Sequence, residues 1–228
     1  MNTATEPLVA GQRMNQAEFH DRYQATPDAK FELIEGVVYM ASPLGRSHGS
    51  VQTTAIVWMG TYQFQTPGVE VFDNTSAVLD DLSEVQPDIS LRIKPGHGGR
   101  TRDLGSIIGG TPELIVEVSD SSRRFDLGPK LVDYERTGAL EYVVLSVDPL
   151  DVVWHVRRGG RLVRIMPDAD GLYRSTAFPG LWLDPNALLI GDGPALLAAL
   201  ARGLASPEHA AFAARLAAAA NDPTGEIP

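Results

Sequence analysis

The stretch Thr111–Gly138, TPELIVEVSDSSRRFDLGPKLVDYERTG, decides the fold. Its opening, PELIVEVS, is almost continuously apolar, the mark of a strand buried on both faces. LGPKLVDYERTG then reads as a helix that stops at Gly138, a suitable C′ glycine. EYVVLSVD follows as a second buried strand. A helix carried between such strands predicts an α/β domain with a mixed β-sheet flanked by helices. One residue resists that pattern. Glu117 stands between Val116 and Val118, where an ionised carboxylate is costly unless it is paired or holds a metal.

Upstream of this unit, Asn15 is positioned to cap a helix that carries Phe19 and Tyr23 four apart. FELIEGVVYMA predicts two short strands around a Glu35-Gly36 turn. Ser47 is the expected cap of a helix whose inner face holds Val51, Thr54, Ala55, Trp58, Met59 and Tyr62. GVEVFDN, SAVLDDL and QPDISLRI are strand-like. The glycine-rich segment from Lys94 to Gly110 follows, and it reads either as a disordered connector or as a basic flap.

Downstream, VVWHVRRGGRLVRIMP predicts a hairpin with a Gly-Gly turn, and GLYRSTAF and LWLDPNALL extend the β section. The alanine-rich tail is helical, with Ser206 as a cap and Pro207 at the first helical position. The expected organisation is a loose N-terminus over 1–12, one domain over 13–192 and a helical C-terminal extension over 193–228.

Composition narrows the chemistry. There is no cysteine among the 228 residues, so thiolate metal sites, disulfides and cysteine nucleophiles are excluded. The opening residues lack the pattern of a signal peptide and no apolar run is long enough to span a membrane, so a cytoplasmic protein is expected. The formal net charge of −10 counts against a nonspecific nucleic-acid coat protein. It still allows an enzyme that meets phosphate through metal ions and a local basic patch. No P-loop, dinucleotide fingerprint, zinc-protease helix or nucleophile elbow is present. The five histidines form no local ligand spacing, and His155 is expected at the surface or half-buried.

Carboxylates at strand positions remain. Asp88 starts a strand directly after Pro87, and Glu117 lies in the buried strand. Asp126, Lys130 and Tyr134 recur every four residues, so they share one helical face. Two carboxylates and a lysine meeting at strand ends suit metal-assisted phosphodiester cleavage. The carboxylates would bind Mg²⁺ or Mn²⁺, and the lysine would orient water or neutralise growing charge. The structural alternatives are a salt bridge from Glu117 to Arg123, Arg124 or Lys130, and an exposed Asp126–Lys130 pair.

The motifs FELIEGVVYMASPLGRSHGSV, VQPDISL and PELIVEVSDSSRRFDLGPKLVDYERTGALEYVVLSVDP, with the strand VVWHVRR, resemble the Uma-type restriction endonuclease family of the PD-(D/E)xK nuclease superfamily. The resemblance runs from about residue 15 to 190. It implies a restriction-endonuclease-like core, with Asp88 as the first metal ligand and Glu117 as the second acid. Ser119 occupies the place of the usual lysine, and the resemblance moves that role to Lys130. It also implies active-site places for Glu32 and His48. On the residues alone, Glu32 could face solvent beside Leu33, and His48 could be a surface residue at a helix start.

The expected activity is that of a Mg²⁺-dependent endonuclease acting on DNA. A nuclease-fold binding or assembly module of a defence or mobile-element system, one that no longer cuts, is the alternative. Lys94, Arg100, Arg102, Arg123 and Arg124 are candidate phosphate contacts. Cutting both strands of a duplex needs two centres, so a homodimer is expected. Leu196, Leu197, Leu200, Leu204, Phe212 and Leu216 of the tail either pair two copies or dock on their own sheet.

Overall fold

The computed structural model describes residues 6–25, 29–41 and 44–221. Helix α1 (Gln16–Gln24) starts where the Asn15 side chain accepts from the Glu18 N–H, and it buries Phe19. Strands β1 (Phe31–Ile34) and β2 (Val37–Met40) form a hairpin. Its turn residues, Glu35 and Gly36, both have positive φ, as a two-residue type I′ turn demands. The described part of the N-terminus is tied to this hairpin. Leu8 is buried, the Gly11 N–H donates to the Val38 carbonyl, and Arg13 bridges to Val37.

Helix α2 (Arg46–Gln65) is capped at Gly45, two residues before the expected serine, and Gly45 offers no side-chain cap. It buries Val51, Ala55, Trp58, Met59 and Tyr62, whereas Thr54 is only half-buried. Strands β3 (Val69–Asp73), β4 (Ala77–Asp80), β5 (Ser83–Val85) and β6 (Ile89–Ile93) come next. The glycine-rich segment is ordered. It holds a short 3₁₀ turn (Pro95–His97) and a hairpin of β7 (Arg102–Leu104) and β8 (Ile107–Gly109). Arg92 anchors β7, pairing with Asp103 at 2.7 Å and with Glu70 at 2.7 Å.

The deciding stretch forms β9 (Leu114–Ser119), then a helical run of α3 (Arg123–Phe125), a π turn (Asp126–Lys130) and α4 (Leu131–Thr137). Pro129 lies inside the π turn and cannot donate a main-chain N–H there. Gly138 ends α4 in the left-handed conformation. Strands β10 (Glu141–Val147), β11 (Leu150–Arg158) and β12 (Arg161–Ile165) follow, with the Gly159-Gly160 turn in place. A small hairpin of β13 (Tyr173–Arg174) and β14 (Trp182–Leu183) precedes α5 (Pro185–Ile190), α6 (Gly193–Leu204) and α7 (Pro207–Ala220). The expected strand through PNALL is therefore a helix. Asp184 caps it and Pro185 opens it, an N-terminal signature that outweighs the apolar run.

Apart from the β13–β14 pair, the strands among the described residues divide between two mixed six-stranded sheets. The central one runs β12-β11-β10-β9-β6-β3, with β9 and β10 parallel across the helical crossover. The other runs β2-β1-β5-β4-β8-β7. Alternation along β9 sorts its side chains. Leu114, Val116 and Val118 join the larger core with α2 and the C-terminal helices. Ile115 faces the second core, which includes Ile34, Ala77, Tyr134 and Tyr142. Glu117 shares the parity of Ile115, so its carboxylate enters the layer between β9, α4 and the second sheet.

The tail docks within its own chain. Leu196, Leu200, Phe212 and Leu216 are buried in the larger core, and Leu204 packs against it. Leu197 stays 37% exposed. The apolar surface expected for pairing two copies is thus largely used inside one. At the contact of α6 with the small hairpin, a Cβ on Gly203 would lie 2.2 Å from the Gly180 carbonyl oxygen and 2.7 Å from the Trp182 ring. Neither neighbour can step aside cheaply. Gly203→Ala is expected to cost about 1–3 kcal/mol, as overpacking does, and a lowered thermal midpoint would register it.

Candidate active site

The strand register builds the site. In the antiparallel β6–β9 pair, Ile89 stands opposite Val116. One step further puts Asp88 opposite Glu117. Residues directly opposite in such a pair have Cβ atoms about 4.5–5.5 Å apart and point to the same face. Pro87 suits the place where the ladder ends, having no N–H to donate. The Val118 N–H donates to Asp88 Oδ2 at 2.8 Å and ties the carboxylate to β9. His48, on the first turn of α2, brings Nε2 to 3.5 Å from Asp88 Oδ1.

Lys130 is the centre of charge. Its Nζ lies 2.9 Å from Glu117 Oε1 and 3.0 Å from Glu32 Oε2. Tyr134 donates its hydroxyl to the same Glu117 oxygen at 2.8 Å. Both of these bonds to Glu117 fall on Oε1, so Oε2 is the oxygen left for a ligand. Glu32 is only 5% exposed, and its Oε1 also accepts from the Gln86 N–H. It faces this cluster rather than solvent. His48 is likewise buried rather than at the surface. A cleft of about 330 Å³ brings together Glu32, His48, Asp88, Glu117, Asp126 and Lys130.

Burial and charge set the protonation states. Burial pushes the Glu117 carboxyl up to about 8, against the pull of Lys130. Burial opposes the Lys130 ammonium, but Glu117 and Glu32 outweigh it and hold the proton firmly. Burial also works against the Asp88 carboxylate. There the His48 contact, the Val118 N–H and Lys130 prevail, and Asp88 titrates below its ordinary value. Asp126 is pushed up by burial, although Ser122 Oγ donates to it at 2.6 Å. The site therefore pairs a well-ionised acid with a neighbour that gives up its proton late.

Other expected contacts fall elsewhere. Arg123 pairs with Asp151 at 2.9 Å, and Lys130, not either arginine, balances Glu117. Arg124 is exposed beside Phe125, which lines the cleft. The three cations of the glycine-rich segment do not reach the cleft. Lys94 follows the end of β6 remote from Asp88. Arg100 lies against Glu113 and donates to the Gly138 carbonyl. Arg102 lines a separate hollow of about 410 Å³ with Gln16 and His20. His155 is buried, with its ring stacked on Tyr142.

Gln52 went unnoticed in the sequence. It lies one helical turn beyond His48, and its Oε1 is 3.0 Å from His48 Nε2. The four-residue spacing was the available signal.

Among the described residues, no group of three or more His, Asp or Glu side chains is arranged to hold a metal ion. Mg²⁺ often takes only one or two carboxylates and keeps several waters. Asp88 and Glu117 fit that habit, as two hard oxygen donors at one strand-end cleft.

A family model described as "Uma2: Putative restriction endonuclease" matches residues 16–186. The chain belongs to the Uma2 family. The resemblance carried by the sequence motifs is thereby borne out over nearly the same span. The crystal structure of "a putative nuclease belonging to DUF820" from Anabaena variabilis ATCC 29413 matches with a TM-score of 0.58 at 15% identity, over 75% of this chain and 96% of that one. That likeness shows the mixed α/β fold of this Uma2 member. A search among curated proteins gives no match. No helix among the described residues is long and apolar enough to cross a membrane.

Proposed function

We propose that this Uma2 protein is a Mg²⁺- or Mn²⁺-dependent endonuclease that hydrolyses phosphodiester bonds of DNA. The observation that carries the reading is the meeting of Asp88 and Glu117 from adjacent strands at one cleft, with Lys130 bonded to Glu117. Asp88 and Glu117 would hold the ion. When bound, the ion would polarise a phosphoryl oxygen and acidify a water. Lys130 holds Glu117 Oε1 in place and keeps a fixed positive charge beside the phosphate. Glu32 and Tyr134 hold that lysine–glutamate pair in turn, and the exposed Arg124, next to Phe125 of the cleft lining, would be a phosphate contact.

A supercoiled plasmid tests the reading. Nicking or linearisation is expected with Mg²⁺ or Mn²⁺ and not with EDTA. Binding should also register without catalysis. An ion at a hundredfold its Kd adds about 2.7 kcal/mol to stability, so Mn²⁺ is expected to raise the melting midpoint and EDTA to reverse the rise.

One observation favours a non-cleaving module. Glu117 already has a buried cation, Lys130, so its burial does not require a metal. A plasmid left intact at all metal concentrations would decide for that module. Cutting both strands calls for two centres, and a twofold dimer would supply them. The tail is not its natural interface. Sedimentation of the full chain should give a dimer, and a monomer at micromolar concentration would leave only single-strand nicking.

A further inference from the structure

Behind Asp88 runs a chain of hydrogen bonds whose direction can be fixed. Lys30 Nζ donates to Asn74 Oδ1 at 2.9 Å, and Asn74 Nδ2 donates to Asp73 Oδ1 at 2.8 Å. Gln52 Nε2 donates to the same Asp73 oxygen at 2.6 Å and to the Asp88 main-chain carbonyl at 3.3 Å. A carboxylate and a carbonyl only accept. The amide nitrogen of Gln52 must therefore face them, which turns its Oε1 toward His48 Nε2 at 3.0 Å. An amide oxygen also only accepts, so His48 Nε2 must carry the proton. That same N–H lies 3.5 Å from Asp88 Oδ1.

We propose that Gln52 is a positioning residue for Asp88. It locks His48 with its proton on Nε2 and holds that N–H against Gln52 Oε1 and Asp88 Oδ1. The Asp88 carboxylate is then steadied at both oxygens, by His48 at Oδ1 and by the Val118 N–H at Oδ2. It follows that His48 serves the site as a donor and not as a metal ligand through Nε2, because a protonated nitrogen has no lone pair to give. The proposal rests on Asp88 being a metal ligand.

Gln52 is buried, and the hydrogen bonds of its side chain lead to Asp73, Asp88 and His48. A residue that merely filled space would affect melting alone. One that fixes His48 would also set its tautomer and the metal affinity. Groups that hold a metal ligand in this indirect way typically cost 10–100-fold in affinity when removed.

The test uses ¹⁵N-labelled full-length protein and long-range ¹H–¹⁵N spectra of its histidines. His48→Gln identifies the His48 signals. The wild type is expected to show the Nε2–H pattern for His48. Gln52→Met, close in length but with no amide donor and only a weak thioether acceptor, is expected to lose that pattern and to bind Mn²⁺ about tenfold more weakly or worse by calorimetry. An Nδ1–H tautomer in the wild type would overturn the proposal. So would a Gln52→Met protein with unchanged tautomer and Mn²⁺ affinity. Should that variant not fold, Gln52→Leu replaces it and the wild-type spectrum still decides the tautomer. A wild type with the Nε2–H pattern that neither binds Mn²⁺ nor cuts plasmid would overturn the metal reading, and with it the role of Gln52 toward a metal. An unaltered wild-type activity with the wrong tautomer would overturn the Gln52 proposal alone.

Discussion

Asp88→Ala and Glu117→Ala are each expected to lower metal-dependent plasmid cleavage by on the order of a thousandfold or more, with the fold retained. The size follows from what is removed. A bound ion supplies several kcal/mol of transition-state stabilisation, and about 4 kcal/mol corresponds to a thousandfold. Removing either carboxylate takes away one of the two acids that would fix the ion's place, and waters replace it without positioning the ion against the phosphate. Stability should respond differently at the two positions. Glu117→Gln keeps an acceptor for the Tyr134 hydroxyl and leaves Lys130 paired with Glu32 at 3.0 Å. It is expected to melt close to the wild type while losing cleavage. Asp88→Ala strips the Val118 N–H of its partner and leaves His48 with Gln52 alone, and should melt somewhat lower. Full cleavage by either alanine variant would exclude the assignment.

The part of this site that could be read from sequence is the part built by local rules. Asp88 announces itself through Pro87 at a strand start. Glu117 stands out in an apolar run, and Lys130 and Tyr134 share one face of the following helix at four-residue spacing. Register then does the rest, since Ile89 pairs with Val116 and the two acids flank that last pair, where both line one cleft. Burial alone does not single out an acid as part of the site. Glu84, Glu113 and Glu141 are also buried acids next to or within strands. Each is satisfied inside the fold: Glu84 by His20 and Gln16, Glu113 by the N–H groups of Ile93 and Arg100, Glu141 by Ser175, Thr176 and Ala177. Glu117 differs because it opens on a cleft beside a second acid, which only the tertiary structure reveals.

What could not be read depends on long-range pairing. Nothing local tells that the glycine-rich segment is stapled by Arg92, which sits in β6 and reaches Asp103 across the hairpin. Nothing local tells that Glu32 turns inward, because its partner Lys130 is 98 residues away. Two misses did have local signals. Asp184-Pro185 marks a helix start as plainly as Ser206-Pro207 does, and Gln52 stands four residues after His48, the same spacing that puts Lys130 and Tyr134 on one helical face.

Lys130→Met is expected to be the most destabilising single change at the site, reaching about 3–5 kcal/mol above pH 8, together with loss of cleavage. Methionine matches the length of the lysine stem, so packing should be little disturbed. The cost is electrostatic. Lys130, 6% exposed, is the cation shared by two buried carboxylates, and removing one partner of a buried ion pair leaves uncompensated charge. The pH dependence gives the claim its sign. Glu117 titrates at about 8 in the folded protein, above its ordinary 4.5. A raised carboxyl favours the fold fully below the unfolded value and loses that contribution as pH rises through the folded value. Without Lys130 the Glu117 carboxyl is pushed higher still, so at pH 5 it sits in the variant as a neutral acid and little charge is stranded. Above pH 8 the variant must either strand that charge or hold the proton against solvent. Lys130 itself, raised above its ordinary value, keeps its charge across this whole window in the wild type. Asp88 is common to both proteins and, titrating low, cancels from the comparison to first order. Urea unfolding at pH 5 and pH 8.5 should therefore show a gap between wild type and Lys130→Met that widens toward the higher pH. A gap that is constant, or that narrows as pH rises, would mean that packing and not charge is what Lys130 contributes.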